Sequence, residues 1–191
     1  MFKMKKLILI AALVTSCLGL SYAAQPTLSE VSFTKVKIDD VFWAGRLETN
    51  RTNTVKAIYE QLQKTGRINN FAITGGLMKG EFVGAVFNDS DVYKWLEGVS
   101  YILATNPDAE LEKIVDDTIR IIASAQQSDG YLNTYFTLVA PKARWTDIRI
   151  QHELYCAGHL FEAAVAHYQA TGKRTLLDVA VKYADYIDTV F

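Results

Sequence analysis

The sequence predicts an all-α protein, an incomplete α/α toroid preceded by one short β-strand. Three observations predict it. Apolar residues recur at helical spacing over most of residues 42–191. Short turns alternate with long, aromatic-rich loops, where a plain helix bundle would need only short connections. The last helix carries its apolar face up to Phe191 with no glycine, proline or cationic final turn to stop it, so the chain reads as cut before its fold is complete. Half of the 191 residues are hydrophobic and 21% are charged, a composition that can bury a core and is not that of a disordered chain.

The first element is not part of the fold. Lys3, Lys5 and Lys6 precede an apolar run from Leu7 to Leu20, and Ser21-Tyr22-Ala23-Ala24 supplies the small residues of a cleavage site. Residues 1–24 therefore read as a secretory signal peptide and 25–191 as the exported domain, periplasmic or extracellular. The run is too short, and too quickly followed by small residues, for a membrane span. A second processing route takes Val14-Thr15-Ser16-Cys17 as a lipobox with a lipid anchor on Cys17. The mature chain keeps one cysteine, Cys156, so no internal disulfide can form. A net charge of −1 without a basic stripe excludes nucleic acid as a partner.

Residues 31–38, Val31-Ser32-Phe33-Thr34-Lys35-Val36-Lys37-Ile38, alternate and are rich in β-branched side chains, which predicts the strand; Asp39-Asp40 ends it. From Phe42 to about Lys64 the positions of Trp43, Leu47, Val55, Ile58, Tyr59 and Leu62 predict a helix closed by Gly66. Residues 66–88 carry Gly66, Gly75, Gly76, Gly80 and Gly84 and read as one long loop, the kind that usually serves function. Asn88-Asp89-Ser90 offers an N-cap for a helix through Leu103, closed by Asn106-Pro107. The next helix starts near Asp108 and ends at Ser128-Asp129-Gly130. Tyr131 to Val139 reads as an extended loop or short strand, Ile150 (or Asp147) to Ala170 as a helix stopped by Thr171-Gly172, and Thr175 to Phe191 as the last helix.

Two segments concentrate chemistry. In Gln151-His152-Glu153-Leu154-Tyr155-Cys156-Ala157-Gly158-His159, residues His152, Cys156 and His159 share one helix face and are zinc-type ligands. Three ligands along one helix do not easily converge on a tetrahedral ion, so a buried structural cysteine with histidines at its rim is the plainer reading. Gly158, which costs a helix about 1 kcal/mol relative to alanine, suggests close approach of a backbone or ligand, with His159 touching it. In Asn88-Asp89-Ser90-Asp91-Val92-Tyr93-Lys94-Trp95-Leu96-Glu97 the carboxylates and the indole suit a sugar, which offers hydroxyls to charged acceptors and apolar ring faces to aromatics. The architectural alternative is that Asp89 caps the helix while Asp91, Lys94 and Glu97 form i,i+3 pairs. Asp129-Gly130-Tyr131-Leu132-Asn133-Thr134-Tyr135-Phe136 and Trp145 have the same mixed character.

Taken in order, Phe42-Trp43 with Asn50-Arg51, Gly66-Arg67-Ile68-Asn69-Asn70-Phe71, Asp89 to Glu97, Asp129 to Phe136, and Glu153-Leu154-Tyr155-Cys156-Ala157-Gly158-His159-Leu160 resemble the amino-terminal part of glycoside hydrolase family 127, the β-L-arabinofuranosidases. The resemblance implies an (α/α)6 barrel followed by β-sandwich domains, and retaining hydrolysis of terminal β-L-arabinofuranosides of plant glycans. It implies a cysteine nucleophile held on zinc by other cysteines and a glutamate, with a second glutamate as acid/base. All of these lie further along the family's chain, so this chain is expected to be inactive alone and to hold no catalytic or metal residue of that set. His159 matches a family histidine that contacts arabinose, and Cys156 matches no zinc-site cysteine. Asp89, Asp91, Lys94, Trp95 and Tyr135 are expected to line the cleft. The alternative function is a non-enzymatic helical module that binds carbohydrate or serves as a scaffold.

Overall fold

A computed structural model describes residues 28–191. The signal-peptide segment and Cys17 lie outside the described residues. Ser32–Phe191 make one compact unit.

Among the described residues no strand forms, which corrects the expectation for residues 31–38. Phe33–Lys35 instead make a single 3-10 turn. Alternating side chains favour a strand only where a neighbouring strand takes its N–H and C=O groups, and none is beside this segment. Helix α1 (Val41–Thr49) starts where Asp40 Oδ1 accepts the Phe42 and Trp43 N–H groups at 2.8 Å. A π-helical turn, Asn50–Thr54, carries it into α2 (Val55–Lys64), so the predicted helix over 42–64 exists with one local widening.

Two irregular segments of the sequence reading are partly helical. Within 66–88, α3 (Arg67–Thr74) buries Ile68, Phe71 and Ala72. Its apolar spacing spans only two turns and is masked by the glycines that follow. Gly66, at φ +78°, reverses the chain between α2 and α3. Within 131–139, α6 (Thr134–Leu138) forms because Asn133 caps it, accepting the Phe136 N–H at 3.0 Å. Aromatic composition favours a strand only where a sheet is there to pack it.

The long helices are α4 (Asp89–Thr105), α5 (Ala109–Ala125), α7 (Glu153–Thr171) and α8 (Thr175–Val190). Asp108 caps α5 through the Glu110 and Leu111 N–H groups. Gly172, at φ +73°, closes α7. Helices α2, α4 and α7 pack side by side in one layer, and α3, α5 and α8 in the other, with α4 against α7 the most extensive contact. Ala157, Ala163 and Ala164 are buried on α7, and these small side chains suit so close a neighbour. Between the layers lie Leu96, Val99, Val115, Ile122, Leu160, Leu176 and Tyr183.

This alternation of successive helices between two layers is an (α/α)6-like arrangement. The α4–α5 and α7–α8 connections are short and fall at one end; the 75–88 and 126–152 segments gather at the other. Helix α5 is amphipathic, with Lys113 and Arg120 in water, whereas α7 also exposes Leu154, Tyr155 and Val165 on the face turned away from the core. No helix among the described residues is long and apolar enough to cross a membrane.

Candidate functional site

The uncovered face of the α4/α7 pair gathers the polar side chains. Helical spacing sets Asp91, Lys94, Glu97 and Tyr101 along α4, and Tyr155, His159 and Glu162 along α7. Lys94 Nζ donates to Tyr155 Oη at 2.6 Å and to Ser90 Oγ at 3.3 Å, and sits 4.8 Å from the Tyr155 ring centroid. Arg67 Nε lies 3.4 Å from Asp91 Oδ2, linking α3 to this face. Tyr101 donates to Glu97 at 2.7 Å. That carboxylate pushes the Tyr101 phenol up to about 12.

His159 stands between the two helices. Its Nδ1 is 3.4 Å from Glu162 Oε2, an ionic contact when the ring is protonated, but the angle makes no hydrogen bond and the buried Nδ1 is left without one. Tyr155 packs edge-to-face on His159 at 4.7 Å, and His152 on Tyr155 at 5.7 Å, giving a ladder of three rings along α7. A Cβ placed on Gly158 would meet no heavy atom within 4 Å, so the helix face beside His159 opens onto free space. An ammonium, carboxylates, an imidazole and a phenol around an exposed aromatic face can bind a polyhydroxylated ring, because each hydroxyl finds a donor or acceptor and the C–H face finds a ring.

Three of the six residues named from the sequence, Asp91, Lys94 and His159, meet on this face. The others are placed elsewhere. Asp89 is 2% exposed, and its carboxylate accepts the Thr134 backbone N–H at 2.8 Å and the Thr134 hydroxyl. Burial pushes its carboxyl up to about 6 against the opposing effect of those bonds. It does not cap α4, whose N-cap Asn88 makes no side-chain cap bond either. Trp95 is 4% exposed and donates from Nε1 to the Val55 carbonyl at 3.0 Å while packing on Tyr59. Tyr135 is half-buried with its ring edge-on to Phe82 at 5.3 Å. Sequence reasoning did not single out Tyr155, Tyr101 or Glu162, and named Glu97 only among the carboxylates of its segment and as a pairing partner of Lys94. The i,i+3 and i,i+4 spacing of Glu97 to Lys94, of Tyr101 to Glu97, and of Tyr155 and Glu162 to His159 was the available signal.

His152, Cys156 and His159 do not converge. The Cys156 thiol is buried, donates to the Phe87 carbonyl at 3.7 Å, and is pushed well up by burial and by the Asp89 carboxylate. The His152 ring turns instead to the Ile150 carbonyl, 2.6 Å from Nδ1, and packs on Phe87. A protonated, enclosed thiol does not fit a zinc–cysteine centre. The group of described residues that could hold a cation is Glu97, His159 and Glu162, whose ligand atoms all lie within 4.8 Å of one another.

At the long-loop end, Glu153 is fully buried at the start of α7 and accepts the Tyr131 hydroxyl and, at 2.7 Å, the Trp145 N–H. Burial raises its carboxyl, opposed first by the Tyr131 bond. Arg144 lies over the Tyr131 ring at 3.9 Å.

The family model for the β-L-arabinofuranosidase GH127 catalytic domain matches residues 35–191. Over 132 residues the chain is 46% identical to the non-reducing end β-L-arabinofuranosidase of Bifidobacterium longum subsp. longum, covering 67% of this chain and 20% of that protein. The solved structure of a GH127 β-L-arabinofuranosidase from Geobacillus stearothermophilus T6 superposes with a TM-score of 0.80 at 51% identity, over 82% of this chain and 26% of that one. A second solved GH127 β-arabinofuranosidase gives a TM-score of 0.74 at 44% identity, over 81% of this chain and 26% of that one. The chain therefore spans 20% to 26% of the length of these relatives.

Proposed function

Because the chain belongs to the GH127 β-L-arabinofuranosidase family, we propose that it is the N-terminal portion of an exported enzyme acting on terminal β-L-arabinofuranosides of plant glycans. In this reading the α4/α7 face is one wall of the sugar cleft. The observation that carries it is the meeting of Asp91, Lys94, Tyr155 and His159 on one uncovered face beside the open space at Gly158. Lys94 and His159 would donate to ring or hydroxyl oxygens, Asp91 would accept from hydroxyls, and Tyr155 would cover the apolar side of the ring. Export rests on the Lys3 to Ala24 pattern, and an N-terminus at Gln25 on protein recovered outside the cytoplasm is its test.

The chain by itself should not turn substrate over. Its one described thiol is enclosed and protonated, and the two buried carboxylates, Asp89 and Glu153, are each held by groups of the 126–152 segment. Incubation of the purified chain with p-nitrophenyl β-L-arabinofuranoside should release no nitrophenol; release above the background of a His159→Ala control would overturn the inactivity. NMR titration with methyl β-L-arabinofuranoside should shift the signals of Lys94, Tyr155 and His159. Shifts confined to other residues would remove the cleft assignment.

A further inference from the structure

We propose that residues 139–152 form a strap latched by Glu153, and that this latch positions His152 and, through it, the Tyr155–Lys94 pair. The proposal rests on the cleft reading above only for its consequence. The strap itself stands on separate contacts.

The segment is built as a unit. Pro141–Ala143 make a 3-10 turn. Gln151 accepts the Asp147 N–H at 3.1 Å, Asp147 accepts the Arg149 guanidinium at 2.9 Å, and the Gln151 N–H donates to the Asp147 carbonyl at 3.1 Å. At its ends the Val139 and Ala140 N–H groups donate to the Tyr135 carbonyl and the His152 carbonyl accepts the Cys156 N–H; between them, its polar ties to the rest of the fold come from two adjacent residues. Trp145 donates its N–H to Glu153 and its Nε1–H to Tyr186 Oη at 3.3 Å, and Arg144 donates to the Phe136 carbonyl and the Thr137 hydroxyl and approaches Asp129 at 3.6 Å. Val139, Ile148 and Ile150 are exposed. The strap is therefore held at its two ends and pinned near its middle, with exposed stretches between.

Two non-glycine residues, Trp145 and His152, sit at φ 60°, a conformation held only when surrounding contacts over-determine it. Trp145 is held by Glu153, which is the residue immediately after His152. One buried carboxylate thus fixes both strained positions, one through its hydrogen bond and one through the chain. His152 packs on Tyr155, and Tyr155 takes the Lys94 hydrogen bond and packs on His159. Release at Glu153 frees His152, and with it the edge contact that orients Tyr155.

Native-state hydrogen exchange on the purified chain tests this without any sugar, so a failure of sugar binding and a failure of the latch are separate results. Amides of 140–151 should exchange together, about tenfold or more faster than those of Leu160, Ala163 and Ala164 in α7. Glu153→Gln should speed strap exchange and tryptic cleavage after Lys142, Arg144 and Arg149 by about tenfold, with α7 exchange unchanged and the Tyr155 ring signals shifted. Equal exchange of strap and α7 in the unmodified chain would overturn the proposal, as would a Glu153→Gln variant that loosens α7 and the strap alike. Should Glu153→Gln not fold, Tyr131→Phe removes one of the two bonds to the carboxylate with the least change of shape. Faster strap exchange in that variant supports the latch, and an unchanged rate overturns it.

Discussion

Asp89 and His167 show how single buried groups set the pH response. In the fold Asp89 titrates at about 6, above its ordinary value, so between pH 4 and 6 the folded state holds a proton the unfolded state has lost. Stability from this group is fullest in acid and declines as pH rises through that window. Asp89→Asn keeps both contacts to Thr134, with the hydroxyl turned to accept. Its denaturation midpoint should lose that decline, as measured by urea unfolding from pH 4 to 7. Asp89→Ala leaves the Thr134 N–H buried and unpaired and should cost about 1–3 kcal/mol. His167 works the other way. It is 1% exposed with neither ring nitrogen bonded, and burial lowers its value, while Asp116 and Glu112 favour the imidazolium and Lys173 opposes it. Its contribution is present above pH 6.5 and is lost as pH falls below that. Measured against the unmodified chain, the melting temperature of His167→Leu should gain as pH falls from 7 to 5, because only the unmodified chain loses the His167 contribution there, and the variant should be about 1 kcal/mol more stable at pH 7.

At the scale of elements, two glycines separate close packing from open space. Gly130, at φ +95°, ends the turn after α5, and a Cβ there would lie 2.6 Å from the Lys182 carbonyl of α8. Gly130→Ala should therefore cost about 2 kcal/mol or more, because both the backbone conformation and the α5–α8 approach oppose it. Gly158 has helical geometry and no neighbour within 4 Å of an added Cβ. Gly158→Ala should stabilise the fold by about 0.5–1 kcal/mol. The same methyl would project beside His159, so it should also weaken binding of an arabinofuranoside. A pair of thermal melts together with one sugar titration checks both arms, and loss of stability at Gly158→Ala would show that the space is not open.

For the whole molecule, the layered helices leave apolar surface uncovered. Val41 is 99% exposed, Phe42 and Trp43 are more than half exposed, and α1 buries no residue, while α7 exposes Leu154, Tyr155 and Val165. Apolar patches of this kind associate. Sedimentation velocity should show concentration-dependent self-association of the chain that Phe42→Ser with Trp43→Ser reduces. A profile independent of concentration would show that these residues are not a contact surface.

The sequence by itself determined the helical class, the positions of the four long helices, and the alternation of short turns with long loops, because period, caps and glycine stops act within a few residues. Lys94, Asp91 and His159 were legible as site candidates for the same reason, since helical spacing puts them on one face of α4 or α7. It did not determine that residues 31–38 lack a strand or that α3 and α6 are helical, because the first depends on an absent partner and the others on contacts made by Asn133, Asp89 and the buried face of α3. Nor could it separate Asp89 and Trp95, which serve the core, from Asp91 and Lys94, which face outward one turn away or less. That separation, and the joining of Lys94 to Tyr155 across 61 positions, was decided only by how α4 packs on α7.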